Sequence, residues 1–296
     1  MKILVFGSYN IDKVYSLPHL PDKGEMLYCS AMETHVGGKG LNQALALKKA
    51  GAEVIAAGMV GPDGDYLTDY LSANGVDASA VGVCEVPTGH SIIGIDPQGR
   101  NQMILYGGAN RAITEEFCDE LLARHGDADL LLTQYETGCV EYMLKRAHEK
   151  GVRTAVNPSP YVDAVKELPF DCVDILILNE DEARLMTGET DETAMLRALY
   201  ETVKGTVILT LGPRGSLYYD GKETAEAKAF SVNAVDTTGA GDTFTGYCLY
   251  ALLTGKTPQE ALTVGSAAAA IAVTRKGAAE TIPDRAATED FLRQKA

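Results

Sequence analysis

The sequence predicts an α/β fold: a three-layer arrangement in which a mostly parallel sheet is flanked by helices, with a small β-sheet lid beside it. Two observations lead to this prediction. Short apolar runs alternate with helix-like segments along most of the chain, which is typical of a parallel sheet covered by helices on both faces. The alternation breaks at residues 12–36 and roughly 88–107, where turn residues and a period of two indicate β-structure.

The core elements follow from this pattern in chain order. Strands that are buried on both faces are continuous apolar stretches rather than alternating ones. The predicted strands are Ile3–Phe6, Val54–Gly58, Leu130–Leu132, Thr154–Val156, Ile175–Leu178 and Val207–Leu211. The predicted helices are 40–50, 64–73, 114–124, 138–149, 180–186, 191–203, 241–254 and 258–274.

The small sheet is predicted from the two segments that break the alternation. Ser91–Ile95, a turn at 96–99 and Asn101–Tyr106 have the pattern of a β-hairpin. We expect this hairpin to join the β-structure of 12–36 in one sheet that is discontinuous in sequence. It would cover the carboxyl ends of the parallel strands, where open α/β folds bind their ligands. Since no linker divides the chain, we expect a single domain over 1–296 that carries this lid.

Composition and charge restrict the possible functions. The chain has 296 residues and a net charge of −15, which argues against a nucleic-acid partner. A bound nucleotide would need local help from Mg²⁺, a helix N-terminus or lysines. The six cysteines are scattered and the five histidines lack metal-ligand spacing, so we expect a cytoplasmic protein without a His or Cys metal site. No apolar run is long enough to span a membrane.

Residues 236–245, Asp-Thr-Thr-Gly-Ala-Gly-Asp-Thr-Phe-Thr, give the strongest functional signal. Gly239 and Gly241 allow a tight turn with exposed N–H groups, and a helix-permissive run follows at once. Helix N-termini attract anions, so a carboxylate at Asp242 is poorly matched there unless it has a function. That function would be to accept a proton from a hydroxyl while the N–H groups hold a transferred phosphoryl group. The alternative is a plain turn in which Asp242 caps the helix.

A second candidate site is the glycine-rich stretch Val36–Ala44 at the start of a predicted helix. Its glycines would let a ligand approach the backbone closely, and Lys39 and Asn42 would offer directed donors. A strand-to-helix turn with a solvated lysine is the alternative.

Two polar groups follow predicted strands. Asn10 and Asp12 share one side of an extended segment and could bind vicinal hydroxyls, unless they form a simple polar turn. Asn179-Glu180-Asp181-Glu182 could hold a hydrated Mg²⁺ beside a triphosphate. An ordinary helix N-terminus enriched in acids would have the same pattern.

Taken together, these motifs resemble a known family. Gly37-Gly38, Asn179-x-x-Glu182 and Asp236-Thr-x-Gly-Ala-Gly-Asp242, in this order and spacing, are similar to the ribokinase-like (PfkB) carbohydrate kinases. The resemblance covers essentially the whole chain. It is closest to the ribokinase branch of the family, almost letter for letter in Gly37–Ala44, Asn157–Pro160 and Ala267–Ala278.

The resemblance implies roles for particular residues. Asp242 would be the general base on a primary hydroxyl of the sugar, beside an anion hole formed by the backbone of Gly239, Ala240 and Gly241. The sugar would be bound by Asn10, Asp12, Gly38, Lys39, Asn42, Glu136 and Asp242. Asn179 and Glu182 would support Mg²⁺ and phosphate, and Thr210, Gly212, Gly215, Gly241 and Ser266 would border the nucleotide. Potassium would be held by Asp236, by the backbone carbonyls of Thr238, Ala272, Arg275 and Gly277, and by the hydroxyl of Thr281, where the family usually has serine.

The implied reaction is transfer of the ATP γ-phosphoryl group to the 5-hydroxyl of a pentose, with ribose as the first choice. Alternatives are deoxyribose, another pentose or ketose, a nucleoside, or a sugar-binding sensor without catalysis. Leu41 and Tyr135 depart from the family pattern beside the expected sugar site. A nucleoside base could rest on Tyr135 or on lid tyrosines such as Tyr15, Tyr28 and Tyr106. By analogy with the family, we expect a homodimer formed through the lid.

Overall fold

The computed structural model describes residues 1–295. Within them the strands are β1 (Lys2–Phe6), β2 (Asn10–Ser16), β3 (Ala31–Gly37), β4 (Glu53–Val60), β5 (Asp77–Val83), β6 (Gly89–Ile95), β7 (Asn101–Tyr106), β8 (Leu130–Gln134), β9 (Thr154–Asn157), β10 (Ile175–Asn179), β11 (Thr206–Thr210), β12 (Ser216–Tyr219) and β13 (Thr224–Ala227). The α-helices are α1 (Lys39–Ala50), α2 (Asp65–Ala73), α3 (Glu115–His125), α4 (Val140–Glu149), α5 (Glu180–Thr187), α6 (Glu192–Val203), α7 (Ala240–Leu253), α8 (Pro258–Ala272) and α9 (Arg285–Lys295).

The large sheet confirms the predicted fold class. Its order is β13-β12-β11-β10-β9-β8-β1-β4-β5, and the strands from β11 to β5 run parallel. β12 and β13 continue it as an antiparallel edge. Apolar side chains form one buried cluster on each face of the sheet. Among residues 1–295, no helix is both long and apolar enough to cross a membrane.

The small sheet contains the predicted hairpin. Its order is β3-β2-β6-β7, in which β2 pairs antiparallel with β3 and parallel with β6. The hairpin partners β6 and β7 run from Ile95 opposite Asn101 to His90 opposite Tyr106. Because β2 follows β1 after three residues, and Gly38 alone separates β3 from α1, the small sheet is attached at the carboxyl end of β1, which lies between β8 and β4 in the large sheet.

The close packing of α7 against α1 determines where the candidate site lies. A Cβ atom on Gly246 of α7 would lie 2.4 Å from the Cβ of Ala46 and 2.7 Å from the backbone nitrogen of Leu47 in α1. Glycine is therefore needed for α7 to pack this closely against α1. Four residues earlier in each helix stand Asp242 and Asn42, so the same close packing brings the two predicted site motifs together.

Candidate active site

The glycine-rich turn leads into a helix, as predicted. Gly239 precedes α7 in the left-handed conformation, with φ of 72°, and the helix begins at Ala240. Asp242 lies within the first turn and is only 6% exposed. Its side chain does not cap the helix, because Gly239 occupies the capping position and no side-chain cap bond is formed there. The alternative interpretation of Asp242 as a simple cap is therefore wrong.

The Asp242 carboxylate is held by two amides of α1. Asn42 donates its Nδ2 to Oδ2 of Asp242 at 3.0 Å, and Gln43 donates its Nε2 to Oδ1 at 2.9 Å. Both contacts join residues about 200 positions apart in the chain. The sequence predicted Asn42 as a site residue but missed Gln43, although Gln43 lies in the same motif and is fully buried.

A cavity of about 240 Å³ opens beside Asp242. It lies where α7 begins and where β9, β10 and β11 end, which is the carboxyl edge of the parallel sheet. The predicted site residues that line it are Lys39, Asn179, Glu182, Thr210, Gly239, Gly241 and Asp242. The sequence did not assign a role to its other lining residues, which are Asn157, Ser159, Ile177, Leu178, Thr237 and Thr245.

One predicted donor of the anion hole has a partner within the turn. The N–H of Ala240 donates to the carbonyl oxygen of Thr237 at 3.2 Å. This bond closes the turn ahead of α7. The backbone at Gly239 and Gly241 lines the cavity directly, whereas Ala240 is not among the lining residues.

Asn179 and Glu182 form the helix N-terminus that one interpretation of their motif predicts. The side chain of Asn179 accepts from the N–H of Glu182 at 2.9 Å, and Glu182 Oε2 accepts from the N–H of Asn179 at 3.0 Å. This capping box is a structural role at the start of α5. It uses one oxygen of each side chain, and both residues also line the cavity. The second carboxylate oxygen of Glu182 is thus left for a ligand.

The small sheet contributes a second polar group. Asn10 is 4% exposed, and its Oδ1 accepts from Nδ2 of Asn110 at 2.8 Å. Asp12 accepts a hydrogen bond from the hydroxyl of Ser91 on β6. The pKa of Asp12 is raised to about 6, mainly by burial; the hydrogen bond from Ser91 opposes this rise and the nearby carboxylate of Glu136 adds to it. The sequence missed Asn110 and Ser91, which reach the site from separate segments.

Lys39 lies near the acids of the cavity, Asp242 and Glu182, and also near Glu136. Its backbone N–H donates to Oε2 of Glu136 at 3.2 Å, and Glu136 also accepts from the hydroxyl of Ser8. Burial alone would lower the pKa of the Lys39 ammonium group, but the carboxylates of Asp242, Glu136 and Glu182 raise it above its ordinary value. The ammonium group therefore stays charged among acids of both the cavity and the small-sheet side. Gly38 precedes it as the residue before α1.

The predicted nucleotide residues are only partly gathered at the cavity. Thr210 lines it at the end of β11, and the adjoining turn is closed by a bond from the N–H of Leu211 to the carbonyl oxygen of Gly215 at 2.8 Å. Gly212 and Gly215 lie in that turn but not on the cavity wall. Ser266 is buried within α8 and likewise does not line the cavity.

The predicted potassium residues join the loop before α7 to the loop after α8. Asp236 accepts from the N–H and hydroxyl of Thr238 at 3.0 and 2.7 Å, and from the N–H of Gly277 at 3.0 Å. Burial would raise the pKa of Asp236, but these hydrogen bonds hold it below its ordinary value. Thr281 donates to the carbonyl oxygen of Ala278 at 2.7 Å, and the N–H of Arg275 to that of Ala272 at 3.2 Å.

Two residues expected beside the sugar lie elsewhere. Leu41 is fully buried in the apolar cluster and cannot contact a ligand. The ring of Tyr135 packs against the other cluster, and its hydroxyl donates to Glu141 of α4 at 3.1 Å. Gln134 ends β8 and turns its side chain towards α1, whereas Tyr135, the next residue, packs on the other face of the sheet.

The lid tyrosines also fail to provide a shelf beside Asp12. Tyr15 is three residues after Asp12 on β2, so the two side chains are on opposite faces of the small sheet. Tyr106 pairs with His90, next to Ser91, and is likewise on the face opposite Asp12. Tyr28 lies outside the strands and is 92% exposed.

Comparisons with known proteins agree with this site. The family model described as pfkB family carbohydrate kinase matches residues 1–285. The chain is 36% identical over 300 residues to the ribokinase of Haemophilus influenzae, covering 98% of each protein. Its fold matches the ribokinase of Thermotoga maritima with a TM-score of 0.90 at 33% identity, covering 98% of this chain and 99% of the other. It matches Arabidopsis thaliana ribokinase complexed with ribose and ATP with a TM-score of 0.90 at 31% identity, covering 98% of both.

The match extends over nearly the whole chain and includes every segment that forms the cavity. The α/β fold and the phosphotransferase activity inferred from the sequence are thereby confirmed. On the strength of the buried Asp242 in its helix turn and of these matches, the chain belongs to the pfkB family of carbohydrate kinases.

Proposed function

We propose that this kinase transfers the γ-phosphoryl group of ATP to the 5-hydroxyl of D-ribose and releases ribose 5-phosphate. The observation that carries the proposal is the position of Asp242, a buried carboxylate in the first turn of α7 that faces a cavity lined by backbone and by Lys39. The ribokinases to which the chain is similar support ribose as the acceptor.

In this proposal, the chain's own groups divide the work between acceptor and phosphate. Asn10, Asp12 and Glu136 would accept from or donate to the sugar hydroxyls and hold the acceptor under the small sheet. Asp242 would take the proton of the attacking hydroxyl. Lys39 and the backbone at Gly239 and Gly241 would stabilise the charge that develops on the transferred group. Holding both reactants in line contributes the rest of the rate enhancement.

The residues near Glu182 fit a magnesium ion that accompanies ATP. The available group is an oxygen donor, which is the type that Mg²⁺ prefers, and the capping box fixes its orientation. When bound, the ion would neutralise phosphate charge, which matters in a chain whose net charge is −15. Asn179 and Glu182 would hold it through its bound waters.

A panel of acceptors tests the substrate. With ATP and Mg²⁺ present, we expect ribose to give the highest kcat/KM among ribose, deoxyribose, other pentoses, ketoses and nucleosides. None of the tyrosines proposed as a nucleoside shelf lies on the Asp12 face, which supports a free sugar over a nucleoside. A better acceptor than ribose would overturn the substrate but leave the kinase mechanism intact. Binding of ribose without any phosphoryl transfer would identify a sensor instead.

A potassium ion beside the anion hole is the second part of the proposal. The hydrogen bonds of Asp236 to Thr238 and Gly277, which tie together the two loops that carry the predicted ligands, support this part of the proposal. Among residues 1–295, no group of three or more His, Cys, Asp or Glu side chains could hold a metal ion. The ligands proposed for potassium are of another type, because most of them are backbone carbonyls and only one is a carboxylate.

We therefore expect activity to rise several-fold when potassium replaces sodium at constant ionic strength. Thr281→Val, which removes one proposed ligand, should weaken this response. Thr254→Val removes an exposed hydroxyl from the far end of α7 and serves as the matched control. Equal initial rates in sodium and potassium salts would exclude the proposed ion.

The small sheet would act as a lid and as a dimer contact. Ile92 and Ile104 are register partners on β6 and β7 and are 38% and 63% exposed. They share the face opposite the one that carries Ser91 and Asp12, so a second copy of the chain could cover them without blocking the site.

All six cysteines are unpaired, which supports a reducing compartment such as the cytoplasm.

A further inference from the structure

Next to Asp242 lies a network of buried side-chain amides to which the proposed reaction assigns no role. Gln43 and Gln134 are fully buried and Asn157 is 9% exposed. Gln134 donates its Nε2 to Oε1 of Gln43 at 2.7 Å. Gln43 donates one hydrogen of Nε2 to Oδ1 of Asn157 at 3.0 Å and the other to Oδ1 of Asp242 at 2.9 Å.

The donor and the acceptor of each hydrogen bond among these amides can be assigned. The carbonyl oxygen of Ile177 can only accept, so the Nδ2 group of Asn157, 2.9 Å away, must face it. Asn157 then turns its oxygen towards Gln43, which must present its NH₂ group. The oxygen of Gln43 in turn faces the NH₂ group of Gln134. Hence Gln43 cannot rotate its amide without losing hydrogen bonds at both ends.

The orientation of Gln43 matches an ionised base. Both hydrogens of its NH₂ group are used, and neither Gln43 Nε2 nor Asn42 Nδ2 can accept a hydrogen bond. The carboxylate of Asp242 thus receives one donor on each oxygen. These two contacts fix both the rotation of the carboxylate plane and its distance from the cavity.

We propose that Gln43 is a positioning residue for Asp242, and that Gln134 and Asn157 act by locking its amide in the donating orientation. The inference rests on the proposed function, in which Asp242 is the base. A misplacement of a reacting group by about 1 Å can cost on the order of 100-fold in rate, although substrate binding is unchanged. Gln43 should therefore contribute to kcat and not to KM.

The test uses three variants of the complete chain. Gln43→Met keeps the length of the side chain and removes both donors, and we expect kcat to fall roughly 10- to 100-fold while KM for sugar and ATP changes less than about threefold. Gln134→Met removes only the group that orients Gln43, so a smaller fall in kcat is expected. Thr154→Val is the matched control. It removes a fully buried hydroxyl that donates to Cys172, away from the cavity, and should lower Tm without changing kcat.

Two results would overturn the inference. One is a kcat for Gln43→Met within threefold of wild type. The other is a fall in kcat of Thr154→Val as large as that of Gln43→Met, since a general loss of stability would then explain both falls. Kinetics are measured with the best acceptor of the panel, so a wrong choice of sugar does not affect the outcome. Crystal structures of wild type and Gln43→Met add a readout that is independent of activity. A carboxylate of Asp242 that keeps its orientation would refute the positioning role even if the proposed reaction were wrong.

Discussion

Asp242→Asn is expected to lower kcat by about 10²- to 10⁴-fold, while the sugar still binds. A positioned general base contributes a factor of this size, and an amide cannot take the proton of the attacking hydroxyl. The loss is reinforced by the surroundings, since Asn42 and Gln43 both point donors at this side chain. The NH₂ group of the new amide would face one of them without an acceptor.

The measurement is kcat by a coupled assay, with sugar affinity determined by calorimetry in the absence of ATP. Asp191→Asn is the control, because it makes the same change at the start of α6, where asparagine caps a helix as well as aspartate does. It should leave kcat and binding unchanged. A kcat for Asp242→Asn within about tenfold of wild type would show that Asp242 is not the base.

The parts of the site that the sequence predicts well are those in which local chemistry is sufficient. The run Gly239–Asp242 requires a turn before a helix whatever lies around it. The apolar stretches of β1, β8, β10 and β11 likewise determine buried strands by themselves. The positions of Asn179 and Glu182 follow from a capping box formed within four residues.

The missed elements lack such local signals. Every residue of β5 is exposed or half-buried, and alanine is the only apolar residue type in the short strand β13. Both are strands because they pair at an edge of the sheet, β5 with β4 and β13 with β12. Their apolar content is too low to predict burial, and the pairing that defines them involves other segments of the chain.

The missed site residues have the same explanation at the level of side chains. Gln43 and Asp242 are 199 positions apart, and Asn10 and Asn110 are 100 apart. Only the assembled helices and sheets bring them together. The error at Tyr135 concerns the direction of its side chain and not its place in the chain. The predicted strand ends at Leu132, two residues before the end of β8, so it does not show on which face Gln134 and Tyr135 lie. Sequence patterns indicated which segments meet but not which atoms touch.

Asp12→Asn is expected to stabilise the free protein and to weaken sugar binding. The sign follows from the pKa of Asp12, which burial raises to about 6 from an ordinary value near 3.8. Because the folded state holds the proton more tightly than the unfolded chain does, ionisation of Asp12 destabilises the fold. The cost is absent below about pH 4, grows as the pH rises towards 6, and is complete above it.

Asparagine removes this cost, so the variant should gain about 2–3 kcal/mol of stability at pH 8 and little at pH 4. Its oxygen can still accept from Ser91, which keeps the local structure. The sugar loses a charged acceptor for its hydroxyls, worth about 1.5–3 kcal/mol, and KM for ribose should rise roughly 10- to 100-fold.

Thermal unfolding of both proteins without ligand, from pH 4 to pH 8, measures the first effect, and titration with ribose measures the second. Asp191→Asn again controls for the substitution itself and should not stabilise the protein. A stability difference for Asp12→Asn that is the same at pH 4 and pH 8 would exclude the ionisation of Asp12 as its cause. In the free protein the half-buried carboxylate of Asp12 lacks part of the hydrogen bonding that water would give it, and the hydroxyls of a bound sugar would supply that bonding. Stability and affinity are therefore expected to change in opposite directions.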